Sequence, residues 1–92
     1  MQKGSLVVLR QGGAFYTQPV GINDQVSAVR HHAGFGRINQ HGLVLSDPDD
    51  WKKTPNLDWS TPWTQVLTEG RVVWVKSQWL TPLVHVEESG VQ

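Results

Sequence analysis

Four histidines, His31, His32, His41 and His85, are the side chains best suited to metal or proton chemistry. Imidazoles gathered on one loop can hold zinc or nickel. Adjacent histidines on a strand, however, point to opposite faces. The chain also has no cysteine, and its histidine spacing matches no recognised ligand set. The run Asp47-Pro48-Asp49-Asp50 lacks the glycine and terminal glutamate of a calcium loop. A phosphate-binding Gly-rich loop, Gly-x-Ser-x-Gly and the zinc-protease motif are all missing, and no carboxylates pair in a recognisable frame. The expectation is a non-enzyme with no metal site and no cofactor.

Residues suited to recognition are easier to find. No acidic side chain occurs between Asp24 and Asp47, a stretch that holds Arg30, His31, His32, Arg37 and His41. Beyond it, Asp47, Asp49, Asp50 and Asp58 are relieved only by Lys52 and Lys53. A positive loop beside a negative one suits head-to-tail or partner contacts, or else two ordinary solvated loops. Phe35 and Arg37 in Gly34-Phe35-Gly36-Arg37 are candidates for a protein-partner surface; alternatively, with a ring to stack and a guanidinium for phosphate, they form a candidate nucleic-acid surface with Arg10 and Arg30. The competing reading is a turn with one tucked phenylalanine. Trp51 and Trp59 sit on a proline-rich stretch and are candidates for an exposed contact patch, because tryptophan is enriched at interface hot spots. Their alternative is to anchor that loop to the core.

The chain has 92 residues, enough for one small domain. With no disulfide available, stability must come from packing, to which five tryptophans can contribute. Eight basic side chains balance eight acidic ones. A protein dedicated to nucleic acid or an anionic membrane usually carries a basic excess, so a protein partner or homo-oligomer is favoured over nucleic acid. Met1 to Leu9 is too short an apolar run for a signal peptide and no stretch is long enough to span a bilayer. A soluble protein is expected, with no membrane contact.

These residues must be positioned by strands, because apolar spacing of three and four is not sustained anywhere. Extended runs are expected at Ser5–Arg10, Gly42–Ser46, Trp63–Thr68 and Arg71–Val75. The last two are separated only by Glu69-Gly70, which predicts a tight hairpin. Its ladder would set Thr68 against Arg71, Leu67 against Val72, Val66 against Val73 and Gln65 against Trp74. Leu67, Val72 and Trp74 then share one face, and Val66, Val73 and Val75 the other. Both faces are apolar. The Trp74 face is expected to line the core, leaving Val73 and Val75 for a covering loop or a partner. After a turn at Lys76–Trp79, Leu80–Val86 resumes as a strand that Pro82 confines to an edge or makes start late. The segment from Gln11 to His41 is too long for a bare loop and should hold a strand near Gln25–Arg30 or a folded-back hairpin. Residues 47–62 form a second long loop, pinned by Trp51 or Trp59.

This order resembles an SH3-like barrel: an RT-type loop, an n-Src-type loop, a distal hairpin, a 3₁₀ turn and a closing strand. Gly70-Arg71-Val72-Val73-Trp74-Val75-Lys76-Ser77-Gln78-Trp79-Leu80 carries the resemblance most specifically, with Lys76, Gln78 and Trp79 where SH3 domains have proline, asparagine and tyrosine. Lys3-Gly4-Ser5-Leu6-Val7 and Gly42-Leu43-Val44-Leu45 are similar in style to short SH3-like proteins of phages and bacteria. The Ala-Leu-Tyr-Asp-Tyr motif and the paired tryptophans of eukaryotic SH3 domains are missing, so proline-peptide binding does not carry over. The resemblance implies an all-β, SH3-like small barrel over residues 1–86, with a tail at 87–92. It further implies a phage-encoded structural or interaction protein, working in a virion or in host cytoplasm.

Overall fold

The computed structural model describes residues 2–55, 57 and 60–83 of the chain. The firmest element is the expected hairpin. Strands β5 (Trp63–Thr68) and β6 (Arg71–Lys76) pair in the register read from the turn, from Thr68↔Arg71 through Gln65↔Trp74, and continue to Trp63↔Lys76. Glu69 and Gly70 both take positive φ, 50° and 77°, the combination of a type I′ turn whose twist matches the flanking strands.

Five more strands join this hairpin: β1 (Leu6–Leu9), β2 (Gly13–Tyr16), β3 (His32–Gly36), β4 (His41–Val44) and β7 (Leu80–Pro82). All pairings are antiparallel, in the order β3-β2-β6-β5-β4-β1-β7. The described residues are therefore mainly β, and the seven-stranded sheet they form is not closed. Strand β7 is an edge, consistent with Pro82, which has no N–H to give a further neighbour. The part of the expected closing strand beyond Leu83, with the tail, lies outside the described residues.

Although the ladder is open, its two ends come together. The Arg10 amide donates to the Trp79 carbonyl, and Leu9 exchanges backbone bonds with Asn39 and Gln40 in the β3–β4 connection. The Trp79 ring lies directly against Gly13 of β2, and Gly36 of β3 lies against Leu9 of β1. The Arg71 guanidinium reaches back to the Ala33 carbonyl, and Arg37 pairs with Glu69 at 2.7 Å. The sheet thus curls around one core of Val7, Leu9, Phe15, Val44, Val66, Val73, Val75 and Leu80. No buried side-chain polar atom among the described residues lacks a partner. Thr68, for example, accepts from Gln40 Nε2 and donates to the His41 carbonyl.

Two expectations are corrected here. The stretch Gln25–Arg30 is not a strand but a short helix, α1. Asp24 accepts a bond from the Ser27 amide at its N-terminus, while Ala28 and His31 donate back along the helix. Strands β2 and β3 pair with each other as the folded-back hairpin, and α1 lies in the connection between them. The faces of β5–β6 are also the reverse of the expected ones. Val73 and Val75, assigned to a partner from sequence, are 1% and 0% exposed, while the Trp74 face turns outward. Compact β-branched side chains fill the tight inner curvature, where β1 and β4 send Val7, Leu9 and Val44 to meet them.

The helix cap gives a pH-dependent local prediction. The bond from the Ser27 amide holds the Asp24 carboxyl below the ordinary aspartate value of 3.8. A depressed folded-state value means the cap's contribution is present above the unfolded value and lost as pH falls through the folded one. Acidification below 3.8 should therefore unprotect the Ala28 and His31 amides while those of β5 and β6 stay protected, as read by hydrogen exchange. Simultaneous loss in all three elements would show that α1 has no independent melting.

Candidate functional site

With the core settled, alternation along the strands defines an outer face. Register places Leu6 opposite Leu43, Leu43 opposite Leu67, and Leu67 opposite Val72. Four apolar side chains therefore stand in one row across β1, β4, β5 and β6. Leu6, Leu67 and Val72 remain 48%, 38% and 53% exposed, and Leu43 is half-buried. The neighbouring row runs Gln65, Trp74, Tyr16, His32.

The far half of this face is covered. Trp63 is only 2% exposed. The Tyr16 ring meets its indole edge-on at 5.5 Å, and the segment leading into α1 lies beside both. A small groove of about 110 Å³ is left there, lined by Tyr16, Val20, Asp24, Ala28, Trp63 and Lys76 among others. One half of the outer face is thus bordered by the connection between β2 and β3, and the Leu6–Leu43–Leu67–Val72 half is left open.

An aromatic string leads from the covered half to the exposed hairpin β2–β3. Tyr16 contacts His32 at 5.8 Å and His32 contacts Phe35 at 4.8 Å, both edge-on. Phe35 is 74% exposed, not tucked. Next to it, Arg37 is engaged by the Glu69 carboxylate. Arg30 ends α1, at the Tyr16–His32 end of the hairpin, whereas Arg37 follows the Gly13–Gly36 end. Arg10 is exposed just after β1. The structure therefore brings Phe35 and Arg37 to one end of the hairpin and sets Arg30 at the other.

The tryptophan loop is also corrected. Trp51, assigned to an exposed contact patch, is 2% exposed. It sits in a 3₁₀ turn (Asp50–Lys53) laid against β5, so it anchors the loop. Trp59 lies outside the described residues. The acidic character of this loop is largely spent internally: Asp50 accepts from the Asp47 amide at 2.8 Å, and Asp49 and Asp50 pair with Lys52 and Lys53. The same amide bond lowers the Asp50 pKa. Among the described residues no three His, Cys, Asp or Glu side chains cluster to hold a metal. His31 instead pairs with the Thr17 hydroxyl at 3.1 Å, and His85 lies outside the described residues.

The residues that sequence reasoning missed are Leu6, Leu43 and Tyr16. Leu67 and Val72 were grouped correctly but turned inward with Trp74. Their common row depends on the pairings of β1 and β4 across long stretches of chain, for which no local turn gives a register. Comparison with family models, curated proteins and solved structures finds no match to this chain.

Proposed function

We propose that the chain is a non-enzymatic interaction or structural module, built as an SH3-like small barrel, whose contact surface is the open half of the outer face. The barrel reading is supported by the hairpin, the 3₁₀ turn at Ser77–Trp79 and the short last strand in sequence, and by the meeting of the sheet ends at Gly36 and Trp79. The single observation that carries the contact surface is the row Leu6–Leu43–Leu67–Val72, continuous over four strands and open to solvent while the adjoining Trp63 is sealed. A scattered exposed leucine needs no explanation, but a contiguous row of them marks an interaction site.

The pair Leu67→Asp and Val72→Asp tests this reading. Leu67 is 38% and Val72 53% exposed, and aspartate is a poor strand former, so each change should cost on the order of 1 kcal/mol and leave the domain folded. Association, with itself or with a protein retained from a lysate of its source, should weaken at least tenfold, as read by sedimentation velocity and by capture on the immobilised chain. Undiminished association in the double variant would sink the reading.

A second reading, nucleic-acid binding through Phe35, Arg37 and Arg10, is favoured by one observation, the 74% exposure of Phe35. Stacking on such a ring needs no base preference. It predicts salt-dependent binding of single-stranded DNA that Phe35→Ala abolishes and the Leu67/Val72 pair leaves intact.

A further inference from the structure

We propose that the occupant of the open row is the α1 ridge of a second copy, so that the chain associates head to tail. This rests on the reading of the outer face as a contact surface and names its partner. Helix α1 buries none of its six residues. Val26 and Val29, three residues apart on one helix face, are 69% and 80% exposed, and Ile22 in the preceding turn is 68% exposed. So short a helix draws little stability from its own hydrogen bonds and usually depends on packing of an apolar face. Here Val26 and Val29 stand mostly in solvent, while Ile22 also borders the groove beside Tyr16 and Trp63. A row of apolar anchors on a helix is the form that docks into an apolar surface, and the flat row on the sheet is such a surface.

Area and charge both favour a copy of the same chain. The three ridge residues and the three exposed row residues each offer on the order of 100 Å² of apolar surface, about 600 Å² together. With the usual polar rim and all of this surface covered, such a contact reaches about 1,100 Å², the size of weak, transient interfaces. Association should therefore be reversible and concentration-dependent. Net charge is zero, so two copies meet without long-range repulsion. Because the patches differ, each contact leaves a free ridge at one end and a free row at the other. Such a heterologous contact continues into a ring or an open chain.

Complementation between two variants tests the proposal. One carries Val26→Glu and Val29→Glu, the other Leu67→Asp and Val72→Asp, with tryptophan fluorescence confirming that each is folded. In sedimentation velocity the wild type should grow beyond a dimer as concentration rises, and each variant alone should stay monomeric. An equimolar mixture should form a dimer and nothing larger, because only one competent contact remains. Val26→Thr with Val29→Thr, a milder change, should weaken wild-type growth at least tenfold. A monomeric mixture, or a wild type that stays monomeric at millimolar concentration, overturns the proposal. A monomeric wild type that still captures a protein through Leu67 and Val72 overturns only the head-to-tail contact and leaves the interaction reading standing.

Discussion

Replacing Gly36 with valine is expected to destabilise the domain by about 3 kcal/mol, at the upper end of what overpacking a filled core costs. A Cβ at this position would run into the Phe15 ring and a Leu9 methyl group. Both residues are buried, at 2% and 0% exposure, so neither can swing aside into solvent. The contact matters because Gly36 belongs to the edge strand β3 and Leu9 to β1, strands that lie far apart in the ladder order. They meet only because the sheet curls. For a domain of 92 residues the loss corresponds to a fall in Tm of about 12–24 °C. Urea denaturation is the direct measurement. A Gly36→Val protein within about 0.5 kcal/mol of the wild type would mean that β3 does not close over the core.

The second large effect concerns the outer face. Trp63→Ala should cost about 3–5 kcal/mol, the usual range for emptying a buried aromatic site. Trp63 is sealed by Tyr16 and by the chain leading into α1, so its loss should also loosen that segment. On the same face, Val72→Thr should change stability by less than about 0.5 kcal/mol, because Val72 is 53% exposed. The contrast between two residues on one hairpin, measured by the same denaturation experiment, tests the division into a covered half and an open half. Equal costs would erase that division.

How much of this was legible beforehand follows from the range of the interactions involved. The β5–β6 register is local: a two-residue connection with Gly70 leaves few alternatives, and each predicted pair is present. Pro82 marks its strand as an edge through a missing N–H, again a local property. The inward face of the hairpin was not legible, because Leu67, Val72 and Trp74 are as apolar as Val66, Val73 and Val75. The choice is made by β1 and β4, whose Val7, Leu9 and Val44 reach the valine side through pairings distant in sequence. Gln25–Arg30 misled for a different reason. Its valines suggest a strand, yet the Asp24 side chain takes up the Ser27 amide and caps a helix there. Trp51 could be read either as contact or as anchor, and packing of its turn against β5 decides for the anchor. The contact row emerged only from three ladders taken together.

The central claim, that the open row is where this chain meets its partner, is tested most directly by a photo-crosslinking side chain placed in turn at Val72 and at Gln78. Both positions are exposed, but Gln78 lies on the 3₁₀ turn before β7 and outside the row. Illumination should give covalent adducts at Val72, with a second copy or another protein, and none above background at Gln78. Adducts of equal yield at both positions, or none at Val72, would contradict the account.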